Sequence, residues 1–156
     1  MNSLQPLAIG AVLALGVSAY ASWIGLARDR AFYPTVLTVI ASYYVLFSAM
    51  GGSARSMIPE ISIALIFIAA ASIGFKRSMW LVVAGLAAHG ILDAFHGALV
   101  HNPGVPQWWP PFCLAYDLTA AVFLAMTLRR APADPGSAHP PRSMPSSSAN
   151  AARVVR

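Results

Sequence analysis

The chain has 156 residues, of which 58% are hydrophobic and only 10% are charged, and its mean hydropathy is +0.65. This balance excludes an ordinary soluble domain and predicts an integral membrane protein. The formal net charge of +5 does not indicate a nucleic-acid-binding protein, because the basic residues stand in short clusters at the ends of apolar segments.

Five apolar segments follow one another along the chain, and each is long enough to cross ~30 Å of hydrocarbon as a helix. They run over Leu4–Ala27, Ala31–Met50, Ile58–Phe75, Met79–Val100 and Pro111–Leu128. The sequence therefore predicts an all-α fold, a bundle of five transmembrane helices that forms a single domain over residues 1–130.

The end of the first segment resembles a signal-peptidase site, since small residues precede Ser22 in the stretch Val17–Ala21. However, Met1–Pro6 contains no Lys or Arg that would form the basic start of a signal peptide. Cleavage would also leave four helices and place the later basic clusters on the wrong side of the membrane. We therefore expect the first segment to be retained as a transmembrane helix.

The basic residues predict the orientation of the bundle. Nine of the ten Lys and Arg residues lie on one side if the N-terminus is outside and the C-terminus is cytoplasmic, and only Arg55 lies on the other side. This is the arrangement that the positive-inside rule favours. We expect a multi-pass protein of the bacterial inner, or plasma, membrane.

The composition changes after Arg130. Residues 131–156 contain five prolines and five serines with only scattered apolar residues. Such a segment cannot bury enough surface to offset the entropy of ordering it. The sequence predicts a disordered cytoplasmic tail there.

The most informative motif lies in the fourth segment, where His89, Asp93 and His96 follow one another with a His-x3-Asp-x2-His spacing. On a helix these side chains fall within about 60° of one another on one face. Ionisable groups at membrane depth cost several kcal/mol and persist mainly where they are paired, protonated or bound to a metal. The motif predicts a polar site inside the membrane.

Two carboxylates from neighbouring segments fall at a similar depth. Counted at ~1.5 Å per residue from the outer helix ends, His96 lies about 7 Å deep, Asp117 about 10 Å, Asp93 about 12 Å and His89 about 18 Å. Glu60 opens the third segment from the same side. Scattered structural residues would have no reason to share this level, so we expect the five side chains to form one site.

The charges of this set favour a metal. No Lys or Arg lies between Ser78 and Leu128, so nothing basic there can neutralise Asp93 or Asp117. Two imidazoles with carboxylates suit Zn²⁺, Fe²⁺ or Mn²⁺ better than Ca²⁺ or Mg²⁺. We predict a divalent metal, zinc or iron, held by His89, Asp93, His96 and Asp117, with Glu60 as the catalytic proton acceptor. One carboxylate can instead orient a histidine from outside the ligand set.

Other polar and aromatic residues have simpler interpretations. Cys113 shares a helix face with Asp117 and is either a further ligand or a small packing residue. His101 is expected to be structural. The pair Trp108–Trp109 is typical of an aromatic belt at the membrane surface, or else forms a lid over the site. The pair Tyr43–Tyr44 is interpreted as packing surface.

The pattern of Gly51–Gly52, Glu60, the His-x3-Asp-x2-His motif, Asn102–Pro103, Pro106, Cys113 and Asp117 resembles a group of small multi-pass bacterial membrane proteins classed as a domain of unknown function. The resemblance runs from the second to the fifth segment. It implies that Glu60, His89, Asp93, His96 and Asp117 belong to one pattern. Because the group has no assigned activity, it implies no reaction.

These observations predict metal-dependent chemistry, favouring hydrolysis of a membrane lipid or another apolar molecule. A proton or metal-ion transporter subunit is one alternative, although the inner half of the bundle offers few ionisable groups for a pathway. A non-catalytic structural or accessory protein is the other. A homo-oligomer is also expected, because five helices are few for a catalytic chamber.

Overall fold

The computed structural model describes residues 4–51 and 53–130, and every regular element within these ranges is helical. The elements are α1 (Leu4–Trp23), a short 3₁₀ helix (Leu26–Arg28), α2 (Phe32–Met50), α3 (Ala54–Lys76), α4 (Met79–Leu99) and α5 (Trp109–Arg130). All five α-helices are long and apolar enough to cross a membrane. The prediction of an all-helical fold with five helices suited to span a membrane is confirmed. The predicted tail, 131–156, lies outside the described residues.

Helices α1 and α3 each have one boundary that differs by four residues from the apolar segment. Helix α1 ends at Trp23 rather than Ala27, because Gly25 has a left-handed backbone with a φ of 84° and the next residues form the 3₁₀ turn. Helix α3 begins at Ala54 rather than Ile58, because the side chain of Ser53 accepts a hydrogen bond from the Ser56 N–H at 3.3 Å. Hydropathy does not register a cap made of polar residues.

Helix α5 begins two residues before the predicted start at Pro111. Pro110 and Pro111 occupy the first turn, where N–H groups have no partner within the helix, so the prolines remove no hydrogen bond. The first hydrogen bond between residues four apart at this end of α5 runs from the Phe112 N–H to the Trp108 carbonyl at 3.3 Å. The proline pair therefore starts the helix instead of interrupting it.

The helices pack in two groups that meet at α4. Helix α5 lies between α1 and α4, while α3 packs against both α2 and α4. The loops that join α2 to α3 and α4 to α5 touch at one end of the bundle, here called the loop end, where a methyl group on Gly51 would lie 2.7 Å from the Gly104 nitrogen. Only glycines allow the two loop backbones to approach this closely.

Small residues also bring helix backbones together inside the bundle. A methyl group on Gly10 would overlap the Phe112 carbonyl, and one on Gly90 would lie 3.2 Å from both the Asp117 Cβ and the Leu114 carbonyl oxygen. Close backbone approach at glycine is typical of helix pairs in membranes. At Gly90 it also positions the neighbouring His89 beside Asp117.

An apolar core fills the half of the bundle away from the loop end. Its buried members are Tyr33, Leu37, Ala71, Met79, Val82, Leu86, Ala120, Ala121 and Leu124. Apart from the hydroxyl group of Tyr33, these side chains carry no polar atom. On α4, the core residue nearest the polar motif is Leu86. It lies one helical turn from His89, on the side away from the loop end.

Candidate metal centre

The five side chains that the sequence singled out are all buried in the loop-end half of the bundle. Their exposed fractions are 1% for Glu60, 1% for His89, 2% for Asp93, 2% for His96 and 0% for Asp117. Glu60 comes from α3, the His-x3-Asp-x2-His motif from α4 and Asp117 from α5. Together with Tyr44 and Asn102, which contact them, they form what we call the polar cluster.

Three residues of the polar cluster approach one another closely enough to share a metal ion. One ligand atom each from His89, Asp93 and Asp117 lies within 4.8 Å of the others. The His89 Nδ1 lies 2.7 Å from Asp117 Oδ2 and 3.5 Å from Asp93 Oδ2. We call these residues the His–Asp–Asp group. The arrangement could hold a metal ion at three of the four positions predicted from the sequence.

Several polar atoms of this group have no hydrogen-bond partner among the described residues. They include the Nε2 of His89, the Oδ1 of Asp117 and the Oδ2 of Asp93, all with almost no accessible surface. A buried polar atom without a partner costs roughly 1–3 kcal/mol. A cation beside the two carboxylates would accept lone pairs from Asp93 Oδ2 and Asp117 Oδ1 and remove their part of this cost, so the unpartnered oxygens favour metal binding.

The charge of the His–Asp–Asp group also favours a bound cation. Within residues 4–51 and 53–130, all three ion pairs join a histidine to a carboxylate, and none involves Lys or Arg. With a neutral imidazole, Asp93 and Asp117 give the His–Asp–Asp group a charge of −2. A divalent cation balances this charge, whereas a protonated His89 balances only half of it.

The structure pairs the other two predicted residues with each other. The Nε2 of His96 donates a hydrogen bond to Glu60 Oε1 at 2.9 Å, and the side-chain amide of Asn102 donates to the same oxygen at 2.9 Å. His96 is thus not brought into the His–Asp–Asp group. Its role as a ligand and the role of Glu60 as a proton acceptor stay predictions.

Tyr44 connects the two parts of the polar cluster. Its hydroxyl group donates to Asp93 Oδ1 at 2.6 Å, and its ring stacks on the imidazole of His96 with the ring centres 3.8 Å apart. We interpreted Tyr44 from the sequence as packing surface. The spacing of Tyr44 and Ser48 by one helical turn is a sequence signal that would have indicated a polar face of α2, since Ser48 accepts a hydrogen bond from Asn102.

A small cleft of about 190 Å³ leads from the loop end to His96. Asn102, Pro106 and Pro110 also line it, so the rigid connection between α4 and α5 forms its wall. His101 is exposed and lines the cleft, but it does not belong to the His–Asp–Asp group. Cys113 is buried but does not belong to the His–Asp–Asp group.

Comparison of the chain with family models, with curated proteins and with solved structures gives no match. The resemblance to the group of uncharacterised membrane proteins therefore stays a prediction.

Proposed function

We propose that this protein binds a divalent ion, zinc or iron, at His89, Asp93 and Asp117, and that it uses the ion to hydrolyse a lipid or another apolar molecule. The observation that carries the proposal is the mutual approach of these three buried ligand groups, which carry two negative charges and have no Lys or Arg partner in the described ranges. Imidazole and carboxylate groups are ligands of catalytic zinc, and such sites combine three protein ligands with a position open for water.

A divalent ion at this position would lower the pKa of a bound water molecule towards 7 and so supply a nucleophile at neutral pH. The chain itself supplies the groups around it. Tyr44 holds Asp93 through a hydrogen bond of 2.6 Å, which fixes the direction of that carboxylate. Glu60, paired with His96, is the proposed proton acceptor, and the cleft that reaches His96 gives this pair access to the loop-end surface.

The apolar core supports an enzyme over a transporter. Transporters usually carry ionisable groups along the whole pathway. Below His89, the buried positions of α4 are Leu86, Gly85, Val82 and Met79. At 1.5 Å per residue this is roughly 15 Å of helix without an ionisable side chain. A site that ends against an apolar core fits a reaction chamber entered from one side.

The orientation is part of the proposal. With the N-terminus outside and the C-terminus in the cytoplasm, the loop end and the metal centre lie towards the outer face of the plasma membrane. Lipid of the outer leaflet would then be the nearest apolar substrate. Assembly of two or more copies would enlarge the chamber that five helices enclose.

Metal analysis of the purified protein tests the proposal most directly. Protein extracted in mild detergent should contain about one zinc or iron ion per chain, and His89→Ala should lose it because an imidazole ligand is gone. His101→Ala is the matched control, since His101 is exposed outside the group and should leave the metal content unchanged. Wild-type protein without metal and without uptake on titration would refute the proposal.

Activity requires a separate measurement. Protein reconstituted in phosphatidylcholine vesicles should release fatty acid or a headgroup fragment, and chelation followed by return of the ion should abolish and restore the release. Glu60→Gln should abolish activity but keep the metal, because Glu60 bonds to His96 and not to the His–Asp–Asp group. If the metal-loaded protein hydrolyses no lipid, the proposed metal site stands and the proposed lipid hydrolysis is refuted.

A further inference from the structure

The His–Asp–Asp group is enclosed by protein, so an ion needs a route to reach it. Its three side chains are at most 2% exposed. On the side away from the loop end, the buried residues of α4 include Leu86, Val82 and Met79, which are apolar. An ion that crossed this core would lose its hydration without gaining a polar partner, at a high cost in free energy. The loop end is therefore the side from which an ion can approach.

The cleft of about 190 Å³ at the loop end leads in that direction, because it reaches His96 and Asn102 of the polar cluster. A water molecule takes up ~30 Å³ in the liquid, so the cleft has room for a partly hydrated ion. The residues that line it include neither Lys nor Arg. The cleft thus carries no permanent positive charge that would repel a cation.

The three buried carboxylates of the polar cluster share one feature. Within the described ranges, each has one oxygen without a hydrogen-bond partner, namely Glu60 Oε2, Asp93 Oδ2 and Asp117 Oδ1. The other oxygen of each is held, by His96, Tyr44 and His89 respectively. All three carboxylates are therefore fixed in direction, and each keeps lone pairs that a cation can accept.

Glu60 is the carboxylate nearest the cleft. Its Oε1 accepts hydrogen bonds from His96 and Asn102, both of which line the cleft. On α4, His96 lies three residues from Asp93, or about 4.5 Å along the helix axis. Tyr44 spans this step, since its ring stacks on His96 and its hydroxyl group bonds to Asp93. The step from the Glu60–His96 pair to the His–Asp–Asp group is thus about one helical turn.

The negative charge increases along the same direction. With neutral imidazoles and ionised carboxylates, the Glu60–His96 pair carries a charge of −1 and the His–Asp–Asp group a charge of −2. The attraction for a divalent cation is strong at short range in a medium of low dielectric constant, and it grows with the charge of the site. An ion at Glu60 is therefore drawn further inwards.

We propose that Glu60 is the entry site of the metal, at which an ion from the cleft first binds before it moves to the His–Asp–Asp group. Glu60 does not belong to the group of residues that can share one ion, so its role is distinct from that of a permanent ligand. The inference rests on the metal centre of the proposed function. It does not depend on the proposed reaction.

The rates of metal uptake and release test the entry site. Protein stripped of metal in mild detergent is mixed rapidly with Zn²⁺ and a fluorescent zinc indicator, and release is followed after addition of excess chelator. Glu60→Gln keeps the shape of the side chain but removes its charge. We expect it to slow uptake and release by the same factor, roughly tenfold, because the charge stabilises the ion in transit. The equilibrium affinity should stay unchanged, since a residue on a route affects both directions equally.

A second variant tests the cleft without altering a polar residue. Gly97 lines the cleft, and a methyl group added there has no atom within 4 Å. Gly97→Leu should therefore narrow the cleft and slow uptake and release several-fold. Ala98→Leu is the matched control, because Ala98 is exposed on the same helix and does not line the cleft. This variant should exchange metal at the wild-type rate.

The outcomes separate the entry site from the proposals on which it rests. Wild-type rates in Glu60→Gln would overturn the role of Glu60, and wild-type rates in Gly97→Leu would overturn the cleft as the route. Faster release with a lower affinity in Glu60→Gln would make Glu60 a ligand of the bound ion and would also overturn the proposal. Wild-type protein that takes up no Zn²⁺ at equilibrium would refute the metal centre itself, and the entry site with it.

Discussion

The hydroxyl group of Tyr44 donates a hydrogen bond to Asp93 Oδ1 over 2.6 Å, across 49 residues of sequence. Both side chains are 2% exposed. The bond ties α2 to α4 at the level of the His–Asp–Asp group and leaves the second oxygen of Asp93 free of hydrogen bonds within the described ranges. One oxygen of the carboxylate is thereby held while the other faces His89.

Removal of this hydrogen bond should weaken metal binding without deleting a ligand. We expect Tyr44→Phe to lower the affinity for zinc or iron by roughly 10–100-fold, since a partner that orients a ligand commonly contributes this much. Competition with a coloured chelator measures the affinity. Tyr43→Phe is the matched control, because Tyr43 stacks on Phe47 and lies outside the polar cluster. Equal affinities for the two variants would show that Tyr44 does not position Asp93.

The approach of α4 to α5 at Gly90 yields a second prediction. A methyl group there meets Asp117 Cβ and the Leu114 carbonyl oxygen at 3.2 Å, so Gly90→Ala should separate the helices and cost about 1–3 kcal/mol of stability. Gly97→Ala on the same helix has no atom within 4 Å of the added methyl group and should be neutral or stabilising. Thermal unfolding in detergent compares the two.

The same pair of variants also probes the metal centre. Gly90 directly follows His89 on α4. A displacement of α4 away from α5 should therefore increase the distance between His89 Nδ1 and Asp117 Oδ2. We expect Gly90→Ala to bind less metal than Gly97→Ala at equal protein concentration. A destabilised Gly90→Ala protein with full metal affinity would mean that the two helices can move apart without disturbing the site.

The helices were predictable because crossing a bilayer demands long uncharged segments, and hydropathy reports length directly. The ends were less predictable, because they are set by backbone conformation. Gly25 ends α1 through a left-handed backbone, and Ser53 starts α3 through a capping bond. Neither effect depends on how apolar the flanking residues are.

The positions of His89, Asp93 and Asp117 were predictable for a different reason. Helical spacing fixes which side chains share a face, and depth counting fixes which helices present them at one level. The division of the polar cluster was not predictable, since the pairing of His96 with Glu60 depends on how far α3 is rotated against α4. Rotation about a helix axis is decided by packing and leaves no mark on sequence spacing.

The orientation of the bundle is tested by reporter fusions. A reporter placed after Arg130 should be active in the cytoplasm, and one inserted within residues 51–56 should be active outside, because nine of the ten basic residues then lie inside. A third insertion at Ala27 should report the cytoplasm, since the Leu26–Arg28 turn joins α1 to α2 at the end opposite the loop end. A cytoplasmic signal from residues 51–56 would contradict the proposed orientation and the access of the site from outside.

Asp93 and Asp117 should act as one unit, because both carboxylates face the same nitrogen, the Nδ1 of His89, at 3.5 and 2.7 Å. Asp93→Asn and Asp117→Asn should each cost on the order of 1–3 kcal/mol, and the double variant should cost much less than their sum, since either single change already removes the shared centre. A double-mutant cycle on detergent-solubilised protein measures this with metal affinity and thermal stability as readouts. Asp29→Asn combined with Asp117→Asn is the control pair, because Asp29 is exposed outside the cluster and its effect should add within about 0.5 kcal/mol. Additive effects for Asp93 and Asp117 as well would place the two carboxylates in separate environments and refute a common metal centre.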